Sequence, residues 1–220
     1  MNNELKKRII TSILLISLLV AMHYYSFIMI TAVLVIAIIV WIEFYALISK
    51  IFPTNKLKDR SLRSLCKTMS LLYLLFLVYF IFGIESFYSN LKLYLLYSVL
   101  VAILSDVGGL IFGKIFKGRK LTKISPNKTI SGSIGSLIFS VALIPFFMKE
   151  LIFNNFLTLI LITILISISS QLGDLFISLL KRKAKVKDTS NLLPGHGGVL
   201  DRVDGIIFAI PIGVLLFSIF

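Results

Sequence analysis

Apolar residues run along this chain in long stretches, broken by short and strongly basic segments. A helix needs about 20 predominantly apolar residues to cross the hydrocarbon of a bilayer. Stretches of that order predict spans at about 9–24, 27–48, 68–83, 92–113, 131–148, 155–178 and 203–220. In hydrocarbon, each backbone N–H and C=O must be bonded within its own helix or within a closed barrel. The alternating ten-residue strands of a barrel are absent, so the elements are expected to be helices. The predicted fold class is all-α, a polytopic transmembrane helical bundle of about seven spans. Neither an internal repeat nor a linker to a soluble domain is evident. Residues 1–220 therefore read as a single membrane domain, with N-terminal spans over 1–100 and the candidate chemistry over 101–220.

Composition sharpens this picture. The chain is 58% hydrophobic with a mean hydropathy of +0.99, against about 45–50% apolar residues in a soluble domain. The opening MNNELKKRIITSILLISLLV has the outline of a signal peptide, but no small-x-small cleavage site follows it. It is expected to stay as the first span. The lone Cys66 has no partner for an intramolecular disulfide.

The net charge of +13 would point to nucleic acid in a soluble protein. Here its distribution argues otherwise. Twenty-one of the 23 Lys and Arg fall in the N-terminal tail and in the loops after the second, fourth and sixth spans; only Lys92 and Lys149 fall on the other side. Cytoplasmic loops collect Lys and Arg. The expected orientation is therefore N-terminus cytoplasmic and C-terminus outside, with membrane lipids and no nucleic acid as surroundings. High Ile, Leu, Phe, Lys and Asn usage points to an AT-rich genome and a bacterial inner (cell) membrane.

Two carboxylates stand within spans: Asp106 in AILSDVGGLIFGK and Asp174 in SSQLGDLFISLLKR. A charge there costs about 2.5–3.5 kcal/mol on insertion scales and usually faces the bundle interior or a water-filled cavity. The plainer alternative is a carboxylate that reaches the interface or pairs with a basic loop residue. Glu43, near Trp41 and Tyr45 at the cytoplasmic end of the second span, is read as interfacial and given no role. Asp106, Asp174, Asp188, Asp201 and Asp204 all lie toward the cytoplasmic side. Carboxylates gathered among cations suit a hard divalent ion such as magnesium, which takes oxygen ligands together with substrate phosphates. Zinc is disfavoured, because His196 has no Cys or His companion and His23 lies on the opposite side.

Two loops exceed what topology requires. GKIFKGRKLTKISPNKTISGSIGS places Lys128 just before a helix that Thr129 or Ser131 would cap, and a helix N-terminus is open to anions. A basic loop that only binds anionic headgroups is the simpler reading. SLLKRKAKVKDTSNLLPGHGGVLDRVD, Ser178–Asp204, holds six cations, three carboxylates, a histidine and three glycines. Its glycines permit positive φ and close approach of a ligand.

At these residues the chain resembles the phosphatidate cytidylyltransferase, or CDP-diacylglycerol synthase, family. Ser178, Lys181, Arg182, Lys187, Asp188, Ser190, Leu193, Pro194, His196, Gly197, Gly198, Asp201, Arg202 and Asp204 fill every position of that family's long C-terminal signature. Gln171, Gly173, Asp174 and Leu175 match a second segment, and Ser125, Pro126, Lys128 and Thr129 a third. The resemblance covers about residues 102–205. Gly109-Leu110 stands where the family has Ala-Tyr, Asn127 where it has Lys, and Ser131 where it has Glu. The chain is short for the family, from which trimmed N-terminal spans are expected.

The resemblance implies that CTP and phosphatidate react to CDP-diacylglycerol and diphosphate on the cytoplasmic face. It implies Mg2+ at Asp174 and Asp201, with room for a second cation. It implies that Lys181, Arg182, Lys187 and Arg202 hold phosphate oxygens, helped by Lys128 and Ser125, while Asp188 belongs to the same catalytic set. Gly197 and Gly198 would admit the nucleotide, and His196 would orient a phosphate or donate to the leaving group. Asp106 would support the polar cavity and Asp204 would orient Arg202. A homodimer is also implied. The rival expectations are a CTP-dependent polyprenol or lipid kinase, a membrane transporter, and a non-catalytic lipid-binding paralogue.

Overall fold

The computed structural model describes residues 3–53, 56–88, 91–122, 125, 128–151, 155–195 and 197–219. Among them the chain is helical, with no named strand: α1 (Asn3–Tyr24), α2 (Ser26–Ile51), α3 (Leu57–Phe87), α4 (Lys92–Phe116), α5 (Ile130–Val141), α6 (Ile144–Phe147), α7 (Phe156–Lys183), α8 (Leu200–Val203) and α9 (Ile206–Ile219). Among the described residues, six stretches are long and apolar enough to cross a membrane: Ser26–Ile51, Leu57–Phe87, Lys92–Phe116, Ile130–Phe147, Phe156–Lys183 and Leu200–Ile219. With α1, whose apolar part Ile9–Tyr24 is a shorter apolar helix of about 24 Å at 1.5 Å per residue, this is the helical membrane bundle expected from the sequence. The span at Ile130–Phe147 is built from two helices. The α-helix lapses at Ala142 and Leu143, and Pro145, which has no N–H to give, sits in the first turn of α6.

The chain forms two compact units, interleaved in sequence. The first comprises Met1–Phe87 with Leu180–Val203, the second Tyr88–Leu179 with Asp204–Phe220. Helix α7 therefore begins in the second unit and ends in the first.

In the first unit, α2 packs against α1, α3 and α8. Its buried residues Val40, Glu43, Leu47 and Ile48 form one stripe at helical spacing, while Leu34, Val35, Ile38 and Ile42 remain exposed. Exposed aliphatic surface on this scale suits hydrocarbon rather than water. Helix α3 likewise buries Leu74, Leu77, Ile81 and Ile84. At the basic end of the pair, Lys67 lies 3.2 Å from the centre of the Tyr45 ring and donates to Ser49 at 2.7 Å. Arg63 donates to the Phe52 carbonyl at the C-cap of α2, where a cation complements the helix dipole.

In the second unit, α4 packs against α5 and α9 around a core that includes Tyr97, Val101, Ile144, Ile162, Ile166, Ala209 and Phe217. Small hydroxyls tie the helices together. Tyr97 and Thr163 share a hydrogen bond of 2.7 Å, Ser105 and Ser167 one of 3.0 Å, and Ser136 donates to the Ser105 carbonyl at 2.6 Å. Lipid gives little hydrophobic drive for helix association, so close packing and such bonds carry it. The α4–α5 contact is close because it is built on glycine: a Cβ on Gly135 would lie 2.3 Å from Phe112 Cβ and 2.8 Å from the Gly108 carbonyl.

This gives opposite predictions for one substitution at two helical glycines. Gly135→Ala should destabilise by about 1–3 kcal/mol, the range for overpacking. Gly83→Ala, which meets nothing within 4 Å, should stabilise by about 0.5–1 kcal/mol. Unfolding in detergent, followed by circular dichroism, reads both signs.

Candidate active site

The signature loop begins where α7 stops. Lys181, Arg182 and Lys183 occupy the last turn of the helix, the end where cations are favoured. Val186 N–H then bonds back to the Lys181 carbonyl and Lys185 N–H to that of Arg182, with Lys185 at φ 57°. This is a Schellman stop with lysine in the left-handed position usually given to glycine. The chain next makes a tight turn, closed by Leu193 N–H to the Gly197 carbonyl at 2.8 Å, with Gly195 at φ 77° and Gly197 at φ 81°. Thr11 of α1 holds the Pro194 carbonyl at 3.2 Å.

Asp201, in the first turn of α8, gathers this loop. Its Oδ1 accepts from Lys181 Nζ at 2.7 Å. Its Oδ2 accepts from Thr189 N–H at 2.9 Å, Thr189 Oγ1 at 3.0 Å and Gly198 N–H at 3.0 Å. The pair is well enclosed, with 13% of the Lys181 side chain and 4% of the Asp201 side chain exposed. Asp188 is exposed, and it stands beside Gly197, whose Cβ would meet Asp188 Cβ at 3.3 Å and Asp201 Oδ2 at 3.0 Å. Arg182, Lys187 and Arg202 are exposed.

The residue missed from sequence is Glu43. It is 3% exposed on the buried stripe of α2, so its reading as an interfacial residue without a role is corrected. Oε1 accepts from Ser190 Oγ at 2.5 Å and Val199 N–H at 3.0 Å, and Oε2 from Thr189 Oγ1 at 2.9 Å and Leu200 N–H at 2.8 Å. Buried carboxylates need such donors. The signal was available: a lone carboxylate three and four residues from Val40 and Leu47, on the inward face of a span. Glu43 also accounts for Gly198. A Cβ there would lie 2.0 Å from Thr189 Oγ1 and 2.6 Å and 2.8 Å from the two Glu43 oxygens, so the space at Gly198 is filled by the protein's own polar groups.

The second unit holds the other candidate group. Asp174 on α7 forms an ion pair with Lys128, each side chain being 25% exposed, and accepts from Ser178 Oγ at 3.3 Å. Lys128 is fixed by the fold of its loop. Leu121 N–H bonds to the Lys128 carbonyl, Lys128 N–H to that of Ser125, and Ile130 N–H to that of Arg119. Of the two candidate caps, Thr129 is the one used, accepting from Gly132 N–H at 3.0 Å; Ser131 Oγ accepts from Gly118 N–H instead. Ser125 is buried in this loop. Gln171 accepts from Ser133, which ties α7 to α5. Asp106 is exposed on α4, and Asp204 is buried, with Oδ1 accepting from Gly205 N–H at 2.9 Å. His196, Pro126 and Asn127 lie outside the described residues.

Among the described residues no three His, Cys, Asp or Glu side chains come together as a metal cluster. The two aspartates expected at a cation differ. Asp174 fits: an ammonium already stands where a cation would, on a carboxylate that keeps access to solvent. Asp201 has both oxygens occupied by protein donors, one of them the Thr189 hydroxyl that it shares with Glu43, and a cation there would have to displace Lys181.

These features define a polytopic membrane protein with carboxylate–ammonium pairs set at the ends of its helices. The profile of the cytidylyltransferase family matches residues 2–220, and the chain belongs to that family. It is 49% identical over 122 residues to a phosphatidate cytidylyltransferase of Staphylococcus haemolyticus, covering 54% of this chain and 46% of that one. For the Staphylococcus saprophyticus protein of the same name the identity is 46% over 130 residues, covering 57% and 50%. For that of Staphylococcus aureus it is 45% over 122 residues, covering 54% and 46%. The chain spans about half the length of these curated relatives.

The enclosed pair makes a prediction independent of any reaction. Lys181→Met should cost about 3–5 kcal/mol, the range for stripping one partner from a buried ion pair, measured as loss of thermal stability in detergent.

Proposed function

We propose that this chain is a phosphatidate cytidylyltransferase, converting CTP and phosphatidate into CDP-diacylglycerol and diphosphate in phospholipid biosynthesis. The observation that carries the reading is the Ser178–Asp204 signature, filled at every position and folded around the Lys181–Asp201 pair. One substrate has two acyl chains and stays in the bilayer. The other is a soluble polyanion. A chain of membrane-crossing helices with its cations gathered in loops suits both. The distribution of Lys and Arg supports a cytoplasmic N-terminus and a reacting face on the cytoplasmic side of a bacterial cell membrane. A homodimer follows from the family resemblance.

In this reaction a phosphate oxygen of phosphatidate attacks the α-phosphorus of CTP. The α–β phosphoanhydride bond breaks and its electron pair leaves with diphosphate. Such transfer needs alignment and charge neutralisation more than covalent help. Arg182, Lys187 and Arg202, exposed around the loop, would bind triphosphate and phosphatidate oxygens, and Lys181 would add charge from its place on Asp201. His196 would contact a phosphate or the leaving group. Lys128 can exchange its carboxylate partner for a phosphate, which frees Asp174. Magnesium, with Asp174 as its ligand, would supply Lewis-acid stabilisation of the phosphoryl oxygens. Asp201, whose oxygens its own loop occupies, would hold a cation only by releasing Lys181, and the family pattern leaves room for a second cation.

The test is incubation of the purified protein with CTP, phosphatidate and magnesium, with assay of both lipid and phosphate products. CDP-diacylglycerol with equimolar diphosphate is expected. CDP with a phosphorylated lipid would replace the reading with a kinase, and CTP bound without turnover would replace it with a non-catalytic paralogue. Asp174→Asn should lower kcat at least about 10²-fold, as for removal of one preorganised electrostatic group, and EDTA should abolish turnover until magnesium is restored.

A further inference from the structure

We propose that Glu43 is a positioning residue for this reaction, acting through the Thr189 hydroxyl to set Asp201. The inference rests on the cytidylyltransferase reading and adds to it a residue from outside the signature.

All the groups that Glu43 accepts from belong to one loop. They are Thr189 and Ser190 on one side of the turn and Val199 and Leu200 on the other, between 146 and 157 residues away in sequence. Both arms of the loop therefore close on one side chain held by α2. Leu200 is the immediate neighbour of Asp201, and its N–H is fixed on Oε2 at 2.8 Å. Thr189 completes the link. Its single hydroxyl lies between Glu43 Oε2 at 2.9 Å and Asp201 Oδ2 at 3.0 Å, while its own N–H also reaches Asp201 Oδ2 at 2.9 Å. With Oδ2 pinned in this way, Oδ1 is left directed at Lys181. The direction of that ammonium, and the spacing of the exposed cations on the same loop, are thus referred to α2.

Two substitutions separate positioning from mere support. Thr189→Val removes the shared hydroxyl at nearly constant volume and leaves Glu43 three of its four donors. Thr189→Ser restores the hydroxyl. Outer groups that orient a site residue typically account for 10–100-fold of activity. Per folded molecule, Thr189→Val should therefore lower kcat by about 10-fold or more. The KM for CTP should change by less than about 2-fold, the pattern of an interaction felt only in the transition state. Thr189→Ser should stay within about 2-fold of wild type on the same scale. Unchanged kcat in Thr189→Val, or equal loss in Thr189→Ser, would overturn the proposal.

Hydrogen exchange reads the same anchor without any turnover. In the wild type, the amides of Val199 and Leu200 should exchange as slowly as those within the long helices. In Glu43→Gln they should exchange at least about 10-fold faster, because each carboxylate oxygen receives a backbone N–H and the amide NH2 must face one of them. Slow exchange retained in Glu43→Gln, or fast exchange already in the wild type, would refute the anchor. If the wild type made no CDP-diacylglycerol, the enzymatic reading would fall and with it the positioning role, while the exchange data would still decide the anchor itself.

Discussion

A carboxyl group on the inward face of a membrane helix is the constraint on which the signature loop depends. Glu43 is nearly sealed from solvent, and burying a polar group without partners costs several kcal/mol. Two backbone N–H groups and two hydroxyls meet that demand, all drawn from the loop between α7 and α9. The benefit runs both ways. A loop rich in glycine and polar residues has little apolar surface to bury and pays a large ordering entropy. The carboxylate gives its two arms a common acceptor. Gly198 follows as a necessity, since any side chain there would collide with Thr189 and Glu43.

The two units solve the problem of polar groups in an apolar chain differently. In the second unit the buried polar atoms are mostly neutral hydroxyls between helices: Tyr97 with Thr163, Ser105 with Ser167, and Ser136 with a backbone carbonyl. A hydroxyl is cheap to bury once it has one partner, and it lets helices approach closely. One charged pair there joins the loop before α5 to the later turns of α7, where Lys128 meets Asp174. In the first unit the charge goes inside, and it is tolerated because acceptors and donors are matched oxygen by oxygen.

What could be read from sequence follows this division. The helices were legible because a span is a local property, a run of apolar residues of fixed length. The departure is local too: Ala142 and Leu143 interrupt one span before Pro145. The signature residues were legible as a pattern, and the Lys181–Asp201 pair joins two of them. Glu43 was legible only as a lone carboxylate between Val40 and Leu47; its partners were not, because they lie more than 140 residues away. Nor could the sequence choose between Thr129 and Ser131 as a cap, since both hydroxyls stand within reach of the first turn of α5. The hydrogen bond from Gly118 to Ser131 decides it.

The same division separates two aspartates that a motif treats alike. Asp201 carries four protein donors and leaves 4% of its side chain exposed; Asp174 carries one ammonium and one hydroxyl and leaves 25%. Exchange at Asp201 would have to displace an enclosed Lys181 from Oδ1, while Oδ2 stays held by backbone N–H groups from both arms of its loop. Exchange at Asp174 requires only that a lysine swing from its carboxylate to another anion. The proposed reaction, which would admit and release a polyanion each turnover, would need one carboxylate that lets go and one that does not. On the geometry, Asp174 has the first property and Asp201 the second, and the rigidity of the second traces back to the acceptor on α2.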